Sequence, residues 1–228
     1  TLLQQSSFSI IGSVTVGGDG LWDLTGFAEG FSSVNPPPIS LNDGGYLDSG
    51  SSGIVYLPVG GNIVVNPGSH LAGSLIQGNI GLDPGPHQII VAAGSNLGVL
   101  PGCDIAAAIG QTGSAASLQK TGPGTLRLSG VNTFTGATTV QEGTLRVDGS
   151  QPGSPVLVNA AARLQGSGTA GRVDFLSSGG IVGPGASPGV LSCGSFNGAQ
   201  SGGILQMELS GAIPGVNGYD QLNVVGGV

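Results

Sequence analysis

The stretch LQKTGPGTLRLSGVNTFTGATTVQEGTLRVDG, residues 118–149, decides how the rest of the chain is read. It holds two near-copies of one phrase, GTLRLSG at 124–130 and GTLRVDG at 143–149. Leu126 and Leu145 head the phrases, and Leu164 in ARLQGSG follows after the same interval again. A unit of this length is too small to bury its own apolar residues and does so only by stacking on its neighbours. The three leucines are therefore expected to form one inward column.

Working outward, a looser version of the same pattern recurs: an apolar strand end, a short turn with Gly or a small residue, and an apolar restart. It reads VGGDGL from Val16, LNDGGYL from Leu41, VNPGSHL from Val65 and VAAGSNL from Val91. LQKTGPGTL from Leu118, VQEGTL from Val140 and VNAAARL from Val158 continue it, with weaker echoes at Val182, Leu205 and Val224. Steps of 18–27 residues give about ten units. Alternation such as Thr125-Leu126-Arg127-Leu128 marks short half-buried strands, and Gly, Asn, Asp and Pro punctuate them. The expected fold is all-β: a single-stranded parallel β-helix, or β-solenoid, of about ten coils with 18–27 residues each, running over 1–228 as one unit. Within it, 1–117 form degenerate coils, 118–149 the repeat, and 150–228 C-terminal coils with a GPGASPG turn. At about 4.8 Å per coil the rod is on the order of 50 Å long. A sandwich predicts independent strands with no recurring phrase. The one plausible helix is short, near Asp104–Ile109.

Composition agrees and narrows the function. Gly and Pro supply 46 and 14 of 228 residues, so turns are frequent, while 39% hydrophobic content still permits a core. Net charge is -7, and residues 1–119 contain no Lys or Arg. Lys120, Arg127, Arg146, Arg163 and Arg172 are the five basic residues, without interleaved aromatics, which argues against nucleic acid and anionic membranes as partners. No apolar run approaches the roughly 18 residues of a transmembrane helix. So few charges on a Ser-, Thr- and Asn-rich surface suit a place outside the cell.

Residues 118–149 resemble the autotransporter-associated β-strand repeat, also called the passenger-associated transport repeat. Its pattern is close to L-x-K-x-G-x-G-T-L-x-L-S-G-x-N-T-[YF]-T-G-x-T-T-V-x-x-G-T-L-x-V. Lys120, Gly122, Gly124, Thr125, Leu126 and Leu128 to Gly130 match, as do Asn132 to Gly136, Thr138 to Val140 and Gly143 to Leu145. VGPGASPGVL at 182–191, GGILQMELSG at 202–211 and YDQLNVVG at 219–226 resemble bacterial surface proteins that carry such repeats. The resemblance implies a right-handed parallel β-helix, displayed or secreted by a bacterium. It implies no catalytic residues.

Candidate chemistry is sparse. Polysaccharide-degrading β-helices need paired carboxylates or an acidic calcium cluster, and here the acids stand singly, without DD, DxD or ExE. Stacking could still align Asp19 with Asp43. The Gly-rich runs lack the Lys-Ser/Thr ending of a phosphate loop, and GGDGLWD resembles a calcium nonapeptide only superficially. His70 and His87 read as solvated turn residues. Arg127 and Arg146 each follow a leucine and so point outward; with Arg163 they read as a ladder partly paired by Glu142 and Asp148. Trp22, Tyr46, Tyr56 and Tyr219 are too few for a sugar-stacking platform. Cys103 and Cys193 are separated by about four coils, too far for a disulfide within one stack. Each is then a buried free thiol or is bonded to another chain.

The expected role is structural and non-enzymatic, without cofactor or metal: an extracellular building block or stalk that self-associates through its ends. A surface adhesin taking a cell-surface glycan is the second reading, and a polysaccharide-degrading enzyme the third.

Overall fold

The computed structural model describes residues 2–3, 9–10, 13–18, 20–24, 28–31, 38–68, 73–94, 101–185, 188–198, 202–215 and 218–226. Asp19, His70 and part of GPGASPG (186–187) lie outside them. The described residues wind through ten coils that stack three parallel sheets. The first sheet has ten strands, from Leu2–Leu3 to Ile204–Leu205. The second has five, from Ser9–Ile10 to Ala108–Gln111. The third runs from Val14–Gly17 to Gln221–Val224. Each strand pairs with its counterpart one coil away, so the hydrogen bonds run along the rod. Coil length varies: the interval from Leu164 to its partner Val182 is short, and that from Tyr46 to Leu75 is long.

Inward positions stack in columns. Leu126 pairs with Leu145, Leu145 with Leu164 and Leu164 with Val182, and none of the four is more than 1% exposed. A second column runs Trp22, Leu47, Ile76, Ile105, Leu128 and Val147, all buried. Apolar burial of this kind is the main driving force for stacking.

The segment expected to be a short helix is strand instead: Cys103–Ile105 and Ala108–Gln111 belong to the first and second sheets. Ala106 and Ala107 favour helix locally, but both donate their N–H to Ile76 O in the preceding coil, and the sheet wins.

The second sheet stops at Ala108–Gln111 because the following coils are shorter. Ser74 pairs with Cys103, whereas Leu126 already finds its partner at Leu145, an interval shorter by a third, and no strand of that coil joins the second sheet. Phe134, fully buried, fills the core there. A bare strand edge would invite pairing with other chains. Here the edge is sealed: Asn132 Oδ1 accepts the Ile109 N–H at 3.1 Å, and the Thr133 N–H donates to Ile109 O at 2.8 Å. One asparagine side chain thus takes the place of a missing peptide group.

Candidate functional site

The repeat residues build brackets between coils. Lys120 lies in strand Ala116–Thr121, where alternation points it inward between Ile89 and Val140. It is 1% exposed, and its Nζ donates to the carbonyls of Thr121, Gly122 and Glu142 at 2.9, 2.7 and 3.1 Å. Three donors meet three acceptors, so the ammonium is fully satisfied. Burial pulls its pKa down to about 8, against the opposing charge of Glu142. Gly122 and Gly143 sit in the turns this lysine holds, at φ +76° and +68°, conformations that side chains resist. Gly124 and Gly136 pack against carbonyls of the coil before, Ala92 O and Ala116 O, with no room for a Cβ. Thr125 pairs with Thr144 on the outer surface.

On the outer face of the first sheet, Asp104, Arg127, Arg146 and Gln165 share one column. Arg127 reaches Asp104 through Nη1 at 2.9 Å and Asp148 through Nε at 2.7 Å. Arg146 Nε lies 2.6 Å from the same Asp148 oxygen, as an ion pair without hydrogen-bond alignment. Ser129 Oγ donates to Asp104 and the Ser167 N–H to Asp148, so the bracket spans four coils. Burial raises the Asp148 pKa, but hydrogen bonds from Arg127 and Ser167 and the two arginine charges outweigh it and hold it below its ordinary value. Glu142 is not part of this ladder; its backbone oxygen serves Lys120 instead. Arg163 stands one column over and bonds Gln165 and Gln206.

His87 is not a solvated turn residue. It shares an inward face with Ile89 and Val91 and is 1% exposed, and its Nε2 donates to Asp83 O at 2.8 Å. Trp22 is core, whereas Tyr46 donates to Asp48 at 3.2 Å. Cys103 and Cys193 are free thiols at 0% exposure, in the fifth and ninth coils. Burial keeps both sulfurs out of another chain's reach while the coils stay stacked, and it pushes both thiols up in pKa. Asp220, in the YDQLNVVG stretch, is buried and accepts the Gly189 and Glu208 N–H groups at 2.8 and 2.9 Å.

A trough of about 480 Å³ lies on the outer face of the second sheet. Gly81 and Gly110 form its floor, the Tyr56 ring lies against Gly81, and Val131 and Thr133 make the far wall. Its lining carries no charged residue. Among the described residues no three His, Cys, Asp or Glu side chains are grouped to hold a metal ion, and no helix is long and apolar enough to cross a membrane.

The family model described as Passenger-associated-transport-repeat matches residues 118–147. The chain carries a passenger-associated transport repeat. The repeat's pattern now has a physical reading: the Lys and Gly positions hold the turns, and the Asn position seals the second sheet. A 74-residue stretch is 40% identical to a Brucella suis biovar 1 protein named Adhesin BmaC autotransporter, covering 32% of this chain and 2% of that protein. A stretch of the same length is 45% identical to an Extracellular serine protease of Serratia marcescens, covering 32% of this chain and 7% of that protein. The chain thus spans a small fraction of the curated relatives it matches. No solved structure is a significant match.

Proposed function

We propose that this chain is a structural segment of an exported bacterial passenger: a stalk or building block that can continue end to end and carries out no turnover chemistry. The observation behind this reading is the direction of its polar bonds. Lys120, Arg127, Asp148, Ser49 and Asp48 each bond to a neighbouring coil. Such groups resist separation of coils along the axis. The similarity to passengers of exported proteins supports a location at the cell surface or outside the cell.

End-to-end association is supported by the tenth strand of the first sheet. The column Leu126, Leu145, Leu164, Val182 continues into Leu205, which is 43% exposed where Val182 is 0%. Ile204, Leu209, Ile213 and Val225 are exposed close by in sequence. A second copy laying a parallel strand on Ile204–Leu205 covers this face by the contact every coil already makes. Such a heterologous contact does not close and so propagates. Electron microscopy and light scattering of the chain beside Leu205→Lys test this. Rods that lengthen with concentration in the parent and stay short in the variant are expected; a parent that stays monomeric at high concentration refutes end-to-end growth.

The trough favours a second reading, an adhesive passenger, in keeping with the name of the Brucella relative. An uncharged lining with one aromatic ring suits a neutral glycan. Binding on a glycan array that Tyr56→Ala abolishes would support this reading, and an array without signal would remove it.

A further inference from the structure

We propose that the Asp83–Pro84 peptide bond is a self-cleavage site, with the Asp83 carboxylate as nucleophile and the His87 imidazole as donor to the scissile carbonyl. This goes beyond the structural role, since it is a single event of the chain upon itself.

Four observations converge on the turn between strands Asn79–Leu82 and Gly85–Val91. First, the carbonyl that a nucleophile must attack, Asp83 O, is held 2.8 Å from His87 Nε2. A carbonyl can only accept, so Nε2 carries a proton and is the donor. Second, that imidazole is fixed. It is 1% exposed, its Nδ1 has no hydrogen-bond partner, and the small cavity beside it is lined by Leu57, Ile63, Ile80, Leu82 and Leu118 with no charged group. Its one hydrogen bond is therefore aimed at this carbonyl.

Third, the residue bearing the carboxylate is anchored on both sides. The Asp83 N–H donates to Leu57 O at 3.0 Å in the coil before, and Thr112 Oγ1 in the coil after donates to Asp83 Oδ1 at 2.7 Å. Oδ2 has no partner among the described residues and is left to act. Fourth, the leaving nitrogen belongs to proline, a tertiary amide with no N–H to tie into the ladder, and Pro84 is exposed to water.

The chemistry balances as a hydrolysis. Asp83 Oδ2 attacks its own main-chain carbonyl carbon and closes a five-membered ring, while the carbonyl oxygen gains negative charge against the His87 N–H. The intermediate collapses, the carbon–nitrogen bond breaks, and Pro84 nitrogen takes a proton from water and leaves as a secondary amine. The hydroxide left by that water then opens the cyclic anhydride and leaves Asp83 with two carboxyl groups, one of them ionised. One water is consumed and nothing is oxidised. The donor acts as an oxyanion-hole group does, stabilising charge that develops in the transition state. The pieces 1–83 and 84–228 stay together, because Asn79–Leu82 remains paired to Ala108–Gln111 and Gly85–Val91 to Ala116–Thr121.

The test is a time course of intact mass at pH 5 and 37 °C, comparing the folded chain with the same chain in urea. The folded chain is expected to yield fragments ending at Asp83 and beginning at Pro84 at least tenfold faster than the unfolded one. Hydroxylamine should trap the anhydride as a hydroxamate on Asp83. His87→Leu, which suits the apolar surroundings, should fall to the unfolded rate while keeping its circular dichroism, and Asp83→Ala should not cleave. No fragments, equal rates folded and unfolded, or a folded His87→Leu that cleaves as fast as the parent each overturn the proposal. Should His87→Leu fail to fold, the folded-versus-unfolded comparison of the parent still decides.

Discussion

The lysine inside the core gives a pH signature that can be worked out in advance. Lys120 titrates near 8 in the folded chain against 10.5 when free, because burial disfavours its charge. Between those values the unfolded chain holds a proton that the folded chain has released, so stability rises with pH across that window. The contribution is full above the unfolded pKa and is lost as pH falls through about 8. The gap between the two values, at about 1.4 kcal/mol for each pH unit, sets the scale at about 3 kcal/mol. The perturbation is Lys120→Met, which keeps the length of the stem and removes the charge. The assay is urea unfolding followed by circular dichroism from pH 7 to 10.5, for parent and variant. Burial and the neighbouring Asp48 raise the Tyr46 pKa, but do so in both proteins and cancel in the difference. The parent should gain on the variant as pH rises. A flat difference, or one that falls, would refute the picture of Lys120 as a charged group held in the core by carbonyls.

Leu145→Asp places an unpaired charge between Leu126 and Leu164 and should cost several kcal/mol; a variant that melts like the parent contradicts the register. Asn132→Ala leaves the Ile109 N–H without its acceptor and should cost about 1–3 kcal/mol, with faster hydrogen exchange at Ile109 than at Ile80. Both cysteines should resist thiol reagents until the chain is unfolded, and non-reducing mass spectrometry should find neither a 103–193 link nor a dimer. Asp148→Asn should destabilise the chain at neutral pH and have less effect in acid, since a carboxyl with a lowered pKa contributes above its unfolded value and loses that contribution as pH falls through the folded one.

The coil stack could be read from the sequence because apolar side chains at a fixed period leave few alternatives: the even spacing of Leu126, Leu145 and Leu164 is the register itself. Polar residues were harder to read. Lys120 shares the inward parity of Leu118, so its burial was written in the alternation, yet charge alone argues for the surface. His87 hid behind PGP in the same way, although Ile89 and Val91 mark its face. The role of Asn132 depends on where the second sheet ends, a consequence of coil length rather than of any local motif. The trough follows from that same ending, since the following coil rises there as a wall, and no stretch of sequence encodes it. Glu142 and Asp148 were indistinguishable as partners for arginine until the register put only one of them beside Arg127 and Arg146.

A single continuous stack requires every coil to be displaced from the last along one axis. Electron–electron distances between spin labels on the outward column of the first sheet test this most directly. Tyr46, Leu75, Asp104, Arg127, Arg146 and Gln165 occupy that column in six successive coils. With one label fixed at Tyr46 and the second moved from Asp104 to Arg146 and then to Gln165, the separation should grow by about 4.8 Å per coil, reaching about 24 Å over five steps. A separation that levels off or shortens along the series would contradict the single stack.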